Sequence, residues 1–252
     1  RGRSKPPPTT YEENDVMRIC RSTLLATLLL TGTAALAQDE EGFSGRAALG
    51  YLATTGNTET ESLNVSFLMG WNYEPWHHRF AGLAVNSSTS GLTTAEAYGL
   101  SWKTDYDITA TSYWYGLLAW DQDEFSTYDQ QVREAVGYGR HFIDTERHVL
   151  SGEAGIGARQ ADLRDGTSQD EAILRLSGEY LWNVSETSNF KQTLAVESGS
   201  DNTYLEAKSS LSADIMDDLA LVVSYTIKSN SDVLPGTEKT DTFTSISVEY
   251  TF

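Results

Sequence analysis

The last eight residues, Ser245–Phe252, read SISVEYTF, and they alternate without a break. Ile246, Val248, Tyr250 and Phe252 are apolar, while Ser247, Glu249 and Thr251 between them are polar. A period of two gives an extended chain one greasy face and one wet face. Chain ends are usually frayed and polar, so a strand that keeps alternating to an aromatic last residue needs something to cover its apolar side. The same period recurs from Phe43 onward. It is clearest at Leu63, Val65, Phe67, Met69, Trp71 and Tyr73, and again at Leu219, Leu221, Val223, Tyr225 and Ile227. A third run is Ala172, Leu174, Leu176, Gly178, Tyr180 and Trp182, with Glu171, Arg175, Ser177 and Glu179 on its opposite face. Segments 43–54, 77–88, 93–105, 111–122, 129–142, 148–161, 187–199, 202–213 and 240–252 complete about twelve strands, each near or slightly above the ~9–11 residues that a tilted membrane strand needs. In 77–88 and 111–122 both faces carry apolar residues, which makes them the least regular of the set. No helical pattern is convincing after residue 38.

Nothing in residues 38–252 offers the ~18 consecutive apolar residues of a membrane helix. If the chain spans a bilayer it must close into a barrel, because lipid gives open backbone edges no partner. The expected fold is therefore all-β: a transmembrane antiparallel up-and-down barrel of about 12 strands. The competing fold is a soluble exported β-sandwich that binds ligands and buries its aromatics in a core.

Loop lengths and aromatics favour the barrel. Connections at 74–76, 106–110, 144–147, 183–186 and 214–218 are short, whereas those at 54–61, 121–129, 160–170 and 229–239 are longer and rich in Gly, Thr, Asp and Asn. The connections at 89–92 and 199–201 are short and break the alternation. Short periplasmic turns opposite longer extracellular loops is the outer-membrane arrangement, and an even strand count puts both termini on the short-turn rim. Strands running toward that rim end in Trp71 and Tyr73, Trp102 and Tyr106, Tyr138 and Phe142, Tyr180 and Trp182, and Tyr250 and Phe252. The tenth strand, ending at Ile215 and Met216, is the exception, and Phe43, Trp76, Tyr113 and Phe190 begin strands nearby. Tyr and Trp favour the headgroup level, where one end of the ring is apolar and the other wet. Core aromatics have no reason to gather at one end of alternate strands.

The N-terminus carries export signals. Met17-Arg18-Ile19-Cys20-Arg21 is a basic start, Leu24 to Leu30 a short apolar run, and Ala35-Leu36-Ala37 a small-x-small cleavage site before Gln38. Residues 17–37 read as a signal peptide, leaving 38–252 as the barrel. Residues 1–16 are polar and Pro-rich and read as an over-called or foreign extension before the signal's own Met17. Cys20, the only cysteine, lies within the signal and ahead of its apolar run, so neither a disulfide nor a lipidated N-terminus is expected. Residues 1–37 hold five of the 18 basic and three of the 36 acidic residues, so the remainder carries a formal net charge of −20. That acidity argues against nucleic acid, whose binders carry a basic footprint. The expected partners are outer-membrane lipid and lipopolysaccharide.

On the faces opposite the apolar ones lie Arg46, Lys103, Arg133, Glu153, Arg159, Arg175, Glu179, Lys191, Glu197, Glu206, Lys208 and Glu249. Charges inside a barrel are costly to leave dry and unpaired. They either line a water-filled pore or pair across the lumen and close it. Neighbouring strands put opposite signs side by side, as with Glu153 and Arg175. At about twelve strands the lumen is narrow beside general porins of ~16.

A lipid-acting enzyme is the main functional rival to a narrow channel or a structural barrel. It needs a histidine beside a serine nucleophile. His77, His78, His141 and His148 all fall near short turns, where interfacial polar residues are the simpler reading. His77 and His78 are adjacent on a strand and so face opposite ways. Asp121, Asp123, Glu124 and Asp129 form an acidic loop, but Phe125 and Ser126 stand where a calcium loop wants further oxygen ligands and a Gly. A solvated loop, with divalent bridging to lipopolysaccharide phosphates as the lesser reading, accounts for it. No cofactor, metal or catalytic residue is expected.

Five stretches resemble domain-of-unknown-function family 481, the YdiY-like salt-induced outer-membrane proteins. They are Gly56-Asn57-Thr58, Asp105-Tyr106-Asp107 at an expected turn, Asp123-Glu124-Phe125, Gly137-Tyr138-Gly139, and Leu150 through Glu153-Ala154-Gly155-Ile156-Gly157. Their order and spacing carry the likeness across most of residues 38–252. The resemblance implies an outer-membrane barrel and transfers no catalytic residues. The C-terminal strand ending in Phe252 also resembles the signature that the barrel-insertion machinery reads.

Overall fold

The computed structural model describes residues 42–54 and 60–252. The extension, the signal peptide and Gly56-Asn57-Thr58 lie outside the described residues. Twelve strands run in order: β1 Gly42–Thr54, β2 Thr60–Tyr73, β3 Trp76–Thr89, β4 Leu92–Thr109, β5 Ser112–Asp123 and β6 Tyr128–Asp144. The second half comprises β7 His148–Leu163, β8 Ser168–Ser185, β9 Ser188–Ser198, β10 Thr203–Met216, β11 Leu219–Asn230 and β12 Thr240–Thr251. Each pairs antiparallel with its sequence neighbours, and β1 pairs with β12, so the sheet closes. The described residues contain no helix.

Closure follows from the alternation. One face of every strand is apolar and exposed: Leu49 on β1, Met69 and Trp71 on β2, Leu100 and Trp102 on β4, Val136 on β6, Ile156 on β7, Leu174 and Leu176 on β8, Ile246 and Val248 on β12. Antiparallel register keeps these faces together, as in Leu221 opposite Val248 and Ile156 opposite Leu174. Among the described residues no second sheet packs on them, and the residues buried below a tenth exposure, such as Tyr113, Tyr115, Arg159 and Glu197, lie on the other face. A continuous apolar exterior around a polar, charged interior is the pattern of a barrel solvated by lipid. The sandwich is thereby excluded as the fold.

The two rims differ less than the loop composition implies. The short-turn rim has connections of two or three residues at 74–75, 110–111, 145–147, 186–187 and 217–218. On the opposite rim, 90–91, 124–127, 164–167 and 199–202 are also short, and among the described residues only 231–239 is long. Strands β4, β6, β7 and β8 run 16–18 residues and take up the remainder. Asp105-Tyr106-Asp107 is accordingly not a turn but part of β4. Its aspartates read as turn formers, yet both point inward onto bases, which lets the strand continue to Thr109.

The wall is least complete at the β1–β12 seam. Four register pairs join it, from Arg46 opposite Thr251 to Leu49 opposite Val248, and Gly45 and Phe252 add two backbone hydrogen bonds at 2.7 and 2.9 Å. Between β11 and β12 there are eleven. Residues 240–247 of β12 are paired on the β11 side alone.

Candidate functional site: a paired-charge belt under a loop lid

The lumen is crossed by one unbroken chain of alternating charges. Arg79 of β3 donates to Asp105 of β4 at 3.0 Å, and Asp105 also pairs with Lys103 on the same strand. Lys103 Nζ reaches Glu153 Oε1 of β7 at 2.8 Å, passing over β5 and β6. Glu153 Oε2 accepts from Arg175 of β8 at 3.2 Å and from Ser177 Oγ at 2.9 Å. Arg175 Nε lies 3.5 Å from Glu197 of β9, which lies 3.4 Å from Arg133 of β6. Arg133 ends the chain on Asp121 of β5. Four cations and four carboxylates thus cancel. Each of these pairs, apart from those with Arg79 and Asp121 at the chain's two ends, joins groups with side chains no more than 16% exposed. Pairing of this kind offsets the desolvation that a lone charge would suffer there.

The long reach from Lys103 to Glu153 depends on what lies beneath it. Tyr113 and Tyr115 of β5 project inward and are both 3% exposed. Tyr113 donates to Glu153 at 2.9 Å, and the Lys103 ammonium sits 5.1 Å and 5.4 Å from the two ring centroids. Arg175 lies 5.7 Å from the Tyr115 ring. The rings can lie flat because the inward positions beside them are Gly137 and Gly139 of β6 and Gly155 of β7. A Cβ at Gly139 would stand 2.3 Å from the Tyr113 ring, and one at Gly155 2.3 Å from the Tyr115 hydroxyl. The glycine-containing stretches 137–139 and 153–157 are therefore the seats of two lumenal tyrosines. Tyr113, which begins its strand near the aromatic rim, faces the lumen, and Trp114 beside it is the residue that faces outside.

A second cluster sits toward the opposite rim. Arg159 and Glu171 are register partners on β7 and β8 and pair with both side chains 1% exposed. The 199–202 connection closes over them: Arg159 donates to the Asn202 carbonyl at 2.7 Å, and Glu171 accepts from the Asp201 N–H at 2.8 Å. Asn202 donates to Asn230 at 2.7 Å and accepts from Ser231 Oγ and Asp232 N–H at 3.2 Å. From there loop 231–239 crosses to the far wall. Leu234 N–H donates to Thr127 Oγ1 at 3.2 Å, the Tyr128 hydroxyl to the Asp232 carbonyl at 3.4 Å, and Leu234 packs on Tyr128, Ala161 and Leu163. β12 and β6 are on opposite sides of a twelve-stranded ring, so this loop lies over the mouth.

The remaining candidates divide by environment. Lys191 pairs with Glu179 at 2.9 Å, Arg46 approaches Glu249 at 3.8 Å, and Glu206 accepts from Tyr204 at 2.6 Å. Lys208 has no ion-pair partner among the described residues. A lumenal cavity of about 220 Å³ is lined by Arg79, Lys103, Arg175, Glu153, Glu179 and Glu206, among others. Asp105, Arg79, Asp121 and the two tyrosines were the omissions from the charge pattern. Arg79 shares parity with His77 on β3, which was the available signal; Asp105 was masked by its turn-like neighbours.

At the short-turn rim, Trp71, Tyr73, Trp102, Tyr138, Phe142 and Tyr250 share outward parity with Phe252, and Tyr180 and Trp182 do so on β8. His77 points inward, 2.7 Å from Asp107 and 3.2 Å from Asn72. His148 bonds Tyr180 at 2.9 Å, and His141 lies against the Tyr113 ring at 5.2 Å. No histidine side chain bonds a serine among the described residues. In the acidic loop, Asp121 pairs with Arg133, Asp129 with Arg164 at 3.4 Å, and Asp123 caps the Phe125 N–H at 2.9 Å. These carboxylates diverge and do not converge on one point.

The uncharacterised protein YdiY of Escherichia coli (strain K12) is 29% identical over 215 residues, 85% of each chain. Among solved structures, the NanC porin is 9% identical over 83% of this chain and 98% of that one, with a TM-score of 0.46. The translocator domain of the autotransporter NalP from Neisseria meningitidis is 12% identical over 86% and 91%, with a TM-score of 0.49. Residues 47–252 match the model of the DUF481 family, described as a protein of unknown function, and the chain belongs to that family.

Proposed function

We propose that this protein is a bacterial outer-membrane barrel that acts as a narrow, normally closed channel for small solutes. Short turns face the periplasm, loop 231–239 faces outside, and Phe252 ends the strand that the insertion machinery recognises. Lipid and lipopolysaccharide surround the wall. The observation that carries the reading is the unbroken alternating-charge chain from Arg79 to Asp121. A lumen blocked by exchangeable ion pairs passes ions rarely and selectively, where an open ring of one sign would pass them freely. The inward residues of β10, β12 and β1 support passage along one side: Ser210, Ser212, Ser245, Ser247, Ser44 and Ala48 are small. The reading is non-enzymatic: among the described residues no histidine side chain bonds a serine, and His77 and His148 are held by Asp107, Asn72 and Tyr180.

Planar-bilayer recording of refolded protein tests it. The wild type is expected to give brief, small openings, and shortening loop 231–239 is expected to raise open probability several-fold. Silence of both proteins at every salt and voltage would remove the channel reading and leave a structural, envelope-stress barrel.

A further inference from the structure

We propose that the outer wall at the short-turn rim holds one phospholipid, its phosphate on His78 and an acyl chain in the adjoining cleft. This rests on the membrane placement above but not on conduction. The cleft measures about 370 Å³ and is lined by Phe43, Met69, Gly70, Trp71, His78, Phe80 and Trp102. His78 is register partner of Trp71, so it faces outward while His77 faces the lumen. Its imidazole stacks on Trp76 at 6.1 Å and 10°, with Trp71 at 6.5 Å and Trp102 at 6.2 Å.

The histidine's own bonding points to a ligand. His78 Nδ1 is buried and has no hydrogen-bond partner among the described residues. The other ring nitrogen, Nε2, bonds no side chain either among the described residues, so the imidazole has an unused hydrogen-bonding edge. His148 is the internal contrast. It stacks similarly, on Tyr180 at 6.0 Å and Trp182 at 6.2 Å, but its Nδ1 is satisfied by the Tyr180 hydroxyl.

The cleft is graded to match a lipid. Trp76 and His78 lie at the rim, at headgroup level, and Met69 and Phe80 lie deeper along the strands. Among the described residues no carboxylate lines the cleft, in a chain of net charge −18. A donor at headgroup level above an apolar slot fits a phosphodiester above an acyl chain.

Refolded full chain in detergent, titrated with phosphatidylethanolamine carrying brominated chains, tests the site through tryptophan quenching and native mass spectrometry. Saturable quenching with one lipid per chain is expected. His78→Phe, which keeps the stack and removes the donor, is expected to weaken binding at least five-fold. His78→Gln should retain part of it, and His148→Phe should leave it unchanged. Brominated diacylglycerol, lacking the phosphate, should bind wild type as weakly as phosphatidylethanolamine binds His78→Phe. Equal binding of the two lipids, equal binding by wild type and His78→Phe, or no saturable quenching would overturn the site. Heat-modifiable gel mobility of every variant separates loss of the site from loss of the barrel.

Discussion

Glu153 is the residue on which the lumen turns. It takes Lys103 from one side, Arg175 from the other, and hydroxyls of Tyr113 and Ser177 besides. Glu153→Gln leaves two cations facing a neutral amide in a nearly dry setting. Breaking one partner of a buried pair costs on the order of 3 kcal/mol, so the variant's urea midpoint in lipid vesicles should fall measurably; an unchanged midpoint would mean that water already screens the belt. Gly139→Val probes the seat below. The added Cβ meets the Tyr113 ring at 2.3 Å, and overpacking of this kind costs about 1–3 kcal/mol. Tyr113→Ala in the same chain should return part of that loss, because the two positions share one contact. Additive losses in the double variant would show that the ring does not rest on this glycine.

Strands were legible because each obeys one rule for its whole length. The alternation in Leu63 to Tyr73 or Leu219 to Ile227 sets a face regardless of what lies across the barrel. β3 and β5 were harder, and the reason is now physical: β5 carries Tyr113, Tyr115 and Ala119 inward to floor the belt, so both its faces read as apolar. The belt was half legible. Charges at inward positions could be found by parity, but Asp105 hid in a turn-like triplet. Which charge meets which across β5 and β6 depends on ring curvature that no local pattern encodes. The lid was illegible for the same reason, since Leu234 finds Thr127 and Tyr128 from across the mouth. The β1–β12 seam, with four register pairs, is the element expected to open most readily. Amide hydrogen exchange in nanodiscs should show β12 residues 240–247 losing protection well before the β6–β7 ladder; uniform protection around the ring would contradict that.

The whole molecule is explained by one exchange of solvents. The apolar stripes of twelve strands face outward and need hydrocarbon, and the charges need one another or water, so the chain closes with its polar face inside. The acidic net charge then belongs to rims and loops, and the lumen itself is balanced along the belt. The most direct measurement is the partitioning and gel mobility of the protein as made by a bacterium. It should sediment with the outer membrane, resist extraction by alkali and urea, and run faster on a gel unheated than boiled. Recovery as a soluble monomer in periplasmic fluid without detergent, with one mobility at either temperature, would contradict the account.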